Sequence, residues 1–314
     1  MESPFRTIIV PVDGSRYAAA AVRYGGQLAH ALKAPLQLVH VFPASPREML
    51  ERLANRAERI AVSYMKREQF NAMRDASAQR AFEAAREALP KGQASAEEII
   101  VPGEPASGLI AHAQLNEAPL IIMGRRGLGS FRELLLGSVS ERVVHHASCP
   151  VTLMSDKGPD ALPSVLVVPV DGSTQGNRAA VHAASIARIT GARIKLVHVY
   201  PRSSDEIPGI GAGMTGMAGI APEMEKRFAD MGREAARIAF EGARAAMNDK
   251  GLKIEEIRDG GSIHEAILDA AAEEKDTSAI VMGRRGLSRM KEMLLGSVSQ
   301  RVLHRAKCPV TLVS

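Results

Sequence analysis

The chain of 314 residues contains no tryptophan, 4% aromatic residues and two cysteines. Each shortage excludes something. Few aromatics leave little stacking surface for unpaired bases, and lysine and arginine are dispersed along amphipathic segments. Direct nucleic-acid binding is therefore not favoured, although a net charge of +5 leans mildly towards anionic partners. Cys149 and Cys308 each precede Pro-Val. They read as small buried residues beside a strand, not as a disulfide framework or metal site, and they suit a reducing cytoplasm. No apolar run approaches the roughly 18 to 20 uncharged residues that span a bilayer, so no membrane association is expected. The opening MESPFRTIIV lacks the apolar core of a secretory signal. Catalytic signatures are missing too: there is no GxxxxGK[ST], no GxSxG and no HExxH. His40 and His198 recur inside LVHV, and His145 and His304 recur in the last helix of each half. That recurrence fits packing or a buried hydrogen bond better than general-base work.

What the chain does contain, it contains twice. Ile121–Met154 (IIMGRRGLGSFRELLLGSVSERVVHHASCPVTLM) returns as Ile280–Val313 (IVMGRRGLSRMKEMLLGSVSQRVLHRAKCPVTLV). From Leu120 and Ala279 onward, 23 of 35 aligned positions are identical without a gap. Both copies keep Gly-x2-Gly-x9-Gly-Ser, at Gly124, Gly127, Gly137 and Ser138 and at Gly283, Gly286, Gly296 and Ser297. Asp13 and Asp171 lie 158 apart, so the match extends from end to end and implies duplication of a whole domain. The expected division is residues 1–156, a polar Gly/Pro-punctuated linker at 157–163, and residues 164–314.

Within each half, apolar runs alternate with helical periodicity. Thr7–Val12, Pro35–Phe42, Glu98–Val101, Leu120–Met123 and Val151–Met154 read as strands. Arg16–Lys33, Pro105–Asn116 and a segment from Ser138 read as helices. Pro46–Leu89 reads as a long charged helix with a break near Ser63 or Asn71. The second half repeats the order, with strands at Val165–Val170, Ile194–Tyr200, Leu252–Ile257, Ala279–Met282 and Pro309–Val313. Its helices are expected at Gln175–Thr190, Pro222–Asn248, Ile263–Glu274 and from Ser297. The fold class is α/β: two tandem Rossmann-like domains, each a five-stranded parallel sheet of order 3-2-1-4-5 with helices on both faces. The glycine- and methionine-rich Pro208–Pro222 reads as a surface loop or as a lid over a pocket.

Glycines at these spacings let backbone N–H groups approach an anion without Cβ interference. The helix that follows Gly137 would add its free N–H groups and dipole. Ser138 with Glu141, and Ser297 with Gln300, form the S-x-x-[EQ] pattern of a capping box, so both serines also have a purely structural reading. In the 3-2-1-4-5 order, ligands bind where the strand order reverses, between the first and fourth strands. Asp13 and Gly124 leave those strands there, and Asp171 and Gly283 do so in the second half. The aspartates would meet ribose or a phosphate-bound cation, or would serve only as Asx-turn residues before Gly-Ser. Arg125-Arg126 and Arg284-Arg285 would pair with phosphates or stay solvated.

These residues resemble the universal stress protein family. The resemblance rests on [IV]-x-V-P-V-D-G-S at the start of each half, on MGRRG, on G-x2-G-x9-G-S and on the closing C-P-V-T-L. It covers both halves almost completely and implies the ATP-binding branch. It further implies that Pro11, Val12, Asp13 and Val41 frame adenine and ribose, with Gly124, Gly127, Gly137, Ser138 and Val139 on the phosphates. Pro169, Val170, Asp171, Val199, Gly283, Gly286, Gly296, Ser297 and Val298 would repeat that site. Members often carry Asp just before the fourth strand, where this chain has Ala118-Pro119 and Thr277-Ser278. In the family the last strand pairs across a dimer interface, which implies an intramolecular pseudo-dimer of the two halves and room for a further homodimer. The function so implied is that of a cytoplasmic nucleotide sensor or regulator in the stress response. It would bind ATP at up to two sites, with Mg²⁺ travelling on the triphosphate and hydrolysis at most slow. The alternatives are a nucleotide-independent interaction module and an ATP-hydrolysing or adenylyl-transferring enzyme on the same fold.

Overall fold

A computed structural model describes residues 5–52, 56–92, 96–127, 136–159, 161–200, 222–274, 278–286 and 295–314. The chain forms two compact units, Met1–Ala161 and Leu162–Ser314.

The first unit begins with strand β1 (Thr7–Pro11), then helix α1 (Arg16–Leu32) and β2 (Leu36–Phe42). Three helices follow, α2 (Pro46–Arg52), α3 (Arg56–Ser63) and α4 (Arg67–Ala88). The unit closes with β3 (Glu97–Pro102), α5 (Pro105–Gln114), β4 (Pro119–Gly124), α6 (Ser138–His146) and β5 (Val151–Met154). Its strands lie in the order β3-β2-β1-β4-β5. All four neighbouring pairs are parallel. Ile8, Ile9, Val10, Leu120, Ile121 and Ile122 are fully buried, as strands covered on both faces require. Right-handed crossovers produce that cover: α1 and α4 lead one way from β1, and α5 and α6 lead back across it, so the pairs fall on opposite faces.

The second unit repeats the plan with β6 (Val165–Pro169), α7 (Thr174–Thr190), β7 (Arg193–Tyr200), α8 (Pro222–Met247) and β8 (Ile254–Gly260). It ends with α9 (Ile263–Ala272), β9 (Ser278–Gly283), α10 (Ser297–Arg305) and β10 (Val310–Val313). Here the order is β8-β7-β6-β9-β10, again parallel between neighbours.

Three expectations need correction. The long helix at Pro46–Leu89 is three helices, and one break falls at 64–66, just past Ser63; α4 runs through Asn71 unbroken. Lys66 adopts an extended backbone as the N-cap of α4, which forces the new start. The third strand of the second unit starts at Ile254, not Leu252, because Gly251 takes φ +78° and Leu252 is held in a turn by Asp249. The serines at 138 and 297 do not cap their helices, which start at those residues with Gly137 and Gly296 as the N-caps. The Pro208–Pro222 segment, read as a surface loop or a lid, lies outside the described residues, up to Pro222, which opens α8. Ala118, at the family's usual Asp position, has φ +43°, a backbone that Asp and Asn tolerate better than Ala. The departure therefore acts on the approach to β4, at the opposite end of the strand from Gly124. Cys149 is buried and Cys308 partly so, and neither forms a disulfide.

Candidate functional site

The chain leaves β1 through Pro11, Val12 and Asp13 while still tied to β2, since the Val12 N–H donates to Val39 O at 2.8 Å. Asp13 then does two things. Its Oδ1 accepts the Ser15 N–H at 2.9 Å, closing an Asx turn that Gly14 completes at φ +81°. Ser15 in turn caps α1 by accepting the Ala18 N–H at 3.1 Å. The remaining oxygen, Oδ2, faces Gly127 so closely that a Cβ there would run into it. This aspartate is an Asx-turn residue that also lines the cavity. Asp171, Gly172, Ser173 and Gly286 reproduce the arrangement.

Gly124 ends β4 against α1, where a Cβ would stand 2.5 Å from the Tyr17 Cβ and 2.8 Å from the Arg126 carbonyl. The loop closes on itself: the Gly137 N–H donates to Arg125 O at 2.8 Å. The buried Ser140 hydroxyl donates to Gly124 O at 2.8 Å. Gly296 with Arg284 at 2.8 Å, and Ser299 with Gly283 at 3.0 Å, repeat both bonds. The two arginines of each pair part company. Arg125 and Arg284 continue the ladder to the closing strand through their N–H groups, bonded to Met154 O at 2.8 Å and Val313 O at 3.0 Å. Arg126 and Arg285 line the cavities.

The capping box does not form. Gly137 is the N-cap of α6 (φ −69°, ψ 147°) and Gly296 that of α10 (φ −71°, ψ 150°), so Ser138 and Ser297 are the first helical residues. The spacing S-x-x-[EQ] is met, but a capping serine must sit one residue earlier. The first intrahelical bond runs from Glu141 N–H to Gly137 O at 2.9 Å. The N–H groups of Ser138, Val139 and Ser140 precede it and supply the positive end of the helix dipole. Ser138 is exposed at the cavity, without a capping duty.

Around these pieces lies a cavity of about 610 Å³. All nine residues predicted for the first site line it: Pro11, Val12 and Asp13 from β1 and its exit, and Val41 from β2; the loop contributes Gly124, Gly127 and Gly137, and α6 contributes Ser138 and Val139. A second cavity of about 340 Å³ gathers all nine counterparts, from Pro169, Val170, Asp171 and Val199 to Gly283, Gly286, Gly296, Ser297 and Val298. His40 backs the first wall; its Nδ1 donates to Val12 O at 2.9 Å and its Nε2 meets Ser77 Oγ at 3.1 Å. His198 donates likewise to Val170 O at 2.8 Å. A carbonyl only accepts, so each Nδ1 bears a proton and is committed to fixing the strand exit.

The sequence profile of the universal stress protein family matches twice, at residues 4–155 and 164–314. The chain belongs to that family. A universal stress protein of Mycolicibacterium smegmatis is 27% identical over 324 positions, covering 98% of this chain and 96% of its own. One from Thermus aquaticus is 32% identical over 158 positions, covering 48% of this chain and 98% of its own, so it matches a single unit. Among solved structures, a universal stress protein from Archaeoglobus fulgidus superposes with a TM-score of 0.62 at 24% identity, covering 100% of this chain and 99% of that one. It shares the fold.

For this universal stress protein chain, sequence reasoning missed the apolar wall opposite the glycines. Pro105 and Leu109 of α5 line the first cavity, and Ile263 and Ile267 of α9 line the second. Helical spacing i, i+4 at the start of the helix before β4 was the available signal. Glu104 fixes that wall by capping α5, accepting the Ala106 N–H at 3.3 Å and the Ser107 N–H at 2.9 Å. Burial pushes its pKa up, but the bonds from Ser107 and Ala106, with Arg142 nearby, outweigh this and hold it below the ordinary value. Among the described residues no group of His, Cys, Asp and Glu side chains is arranged to hold a metal. No described helix is long and apolar enough to cross a membrane.

Proposed function

We propose that the chain binds an adenine nucleotide, ATP, at each cavity and acts as a nucleotide sensor or regulator in the cytoplasmic stress response. One observation carries this reading: each unit brings an aspartate, three glycines of which the first two have no room for a Cβ, and a helix N-terminus with a non-capping serine to one cavity. The combination occurs at the reversal of strand order, twice. The helix N–H groups and glycine backbone suit phosphate oxygens. The apolar side, Val39 and Val41 with Pro105 and Leu109, suits a base, and a cavity of about 610 Å³ is of ligand size. Asp13 and Asp171 would take ribose hydroxyls or a cation. Mg²⁺ would come with the triphosphate, because the nearby residues offer it one carboxylate and no cage. Hydrolysis would be at most slow, since the buried histidines are committed to carbonyls and nothing described orients a water.

The functional division follows residues 1–156 and 164–314, joined by 157–163. The closing strands Val151–Met154 and Val310–Val313 are apolar and last in their strand orders. Pairing of these two strands within one chain would cover edges that otherwise invite association, giving a pseudo-dimer that could pair again as a homodimer. Cysteines placed at Thr152 and Thr311 are expected to crosslink within one chain under oxidation; consistent failure to do so argues against that pairing.

Mass spectrometry of the purified and denatured protein tests the nucleotide reading. Released ATP supports a binding protein, and rapid conversion of added ATP to ADP or AMP indicates an enzyme instead. No adenine nucleotide, before or after loading with ATP, would leave only an interaction module.

A further inference from the structure

The two cavities share their aspartate, glycines and helix N-terminus, but the residue packed behind the first loop glycine differs. Two residues after the capping serine, α1 carries Tyr17 and α7 carries Gln175. Both press on the first glycine of the loop: a Cβ at Gly124 would lie 2.5 Å from the Tyr17 Cβ, and one at Gly283 2.9 Å from the Gln175 Cβ. Their outer ends act differently. Two guanidinium groups lie over the Tyr17 ring, Arg16 at 5.2 Å and Arg126 at 6.0 Å from its centroid. Arg16 is itself held by Asp156 at 3.1 Å. Gln175 has no ring; its Oε1 accepts the Arg285 backbone N–H at 2.6 Å. Thr174 stands where the first unit has Arg16.

An arginine that must stop moving to meet a phosphate loses side-chain entropy, and a guanidinium already resting on an aromatic face has lost part of it beforehand. The Tyr17 ring therefore pre-places the Arg126 charge at the first cavity. In the second unit the same position secures the backbone of Arg285 and offers its guanidinium no face. The aspartate, glycines and helix N-terminus that would meet ribose and the first phosphate are the same in both units. The difference should be felt in proportion to the negative charge carried further out.

Resting on the nucleotide reading above, we infer that Tyr17 is a positioning residue that holds Arg126 for the outer phosphates of a nucleoside triphosphate. Gln175 leaves the second site without that device, so the two sites rank nucleotides by phosphate number differently. The first site favours triphosphate over monophosphate more strongly than the second does.

The readout is the ratio of ATP to AMP affinity, measured by calorimetry on the full chain with one site closed at a time. With the second site closed by Gly286→Val, Tyr17→Gln is expected to lower the ratio roughly tenfold, the scale of one charge-assisted contact, with AMP affinity unchanged. Tyr17→Phe keeps the ring and should keep the ratio. With the first site closed by Gly127→Val, Gln175→Tyr should raise the ratio of the second site. An unchanged ratio in Tyr17→Gln, with ATP still bound, overturns the inference and leaves the nucleotide reading standing. A Phe variant that behaves like Gln also overturns it. If the parent binds neither ATP nor AMP, both fall together.

Discussion

Gly127→Val is expected to abolish ATP binding at the first cavity, weakening it by at least about a hundredfold, or roughly 2.7 kcal/mol. The reason is steric. Gly127 does not lie in the left-handed region, so a side chain there costs no special backbone strain. The obstacle is the Asp13 carboxylate, which occupies the space a Cβ needs. That carboxylate cannot yield freely, because its other oxygen accepts the Ser15 N–H and the turn sets the start of α1. Valine must therefore push the loop outward, away from the N–H groups of α6 that would share the phosphates. Gly286→Val should do the same at the second cavity through Asp171. Titration of each variant with labelled ATP checks this, and each should lose one site and retain the other. A thermal melt of the same samples should show a small loss of stability, on the order of 1 kcal/mol, because the change sits in a surface loop.

Acidification should destabilise the second unit by about 3 kcal/mol between pH 7 and pH 4, through His182. Burial in α7 lowers the pKa of this histidine from the ordinary 6.5 to about 4. The sign follows from proton binding. In the folded chain His182 stays neutral down to about pH 4, whereas in the unfolded chain it takes up a proton near the ordinary value. Between those limits the unfolded state holds more protons, so stability is full above the unfolded pKa and declines as pH falls towards the folded one. His182→Gln removes the titration and should flatten that part of the profile. Urea unfolding at both pH values measures the difference directly. If wild type and variant lose equal stability on acidification, the burial of His182 is not what makes the unit acid-sensitive. The first unit has Tyr24 at the matching helix position, buried at 2% exposure, so this helix position contributes no such limb there.

The two predictions come from different depths of the sequence. The glycines and Asp13 were legible because their spacing repeats, and an alternating strand–helix order places both at one sheet end. Val151–Met154 was readable to the residue, since Cys-Pro and Ser-Asp bracket it. The role of Ser138 was not, because S-x-x-E looks the same whether serine stands at the N-cap or one residue inside the helix. Only the extended backbone of Gly137 decides it. Nor could sequence tell which arginine of each pair faces the cavity. That depends on the ladder to the closing strand continuing one residue past Gly124, so that Arg125 is taken up by the sheet. The walls from α5 and α9 and the contrast between Tyr17 and Gln175 are contacts between elements distant in sequence. Periodicity shows that a helix has an apolar face, not which cavity the first turn of that face closes.

The central claim is that each unit forms one nucleotide site around its glycine loop. Equilibrium dialysis of labelled ATP tests it most directly, with the wild-type chain set beside the Gly127→Val/Gly286→Val double variant. The account predicts saturable binding approaching two nucleotides per wild-type chain and none in the double variant. Undiminished binding in a folded double variant would contradict it, because the ATP would then be held somewhere other than the two loops.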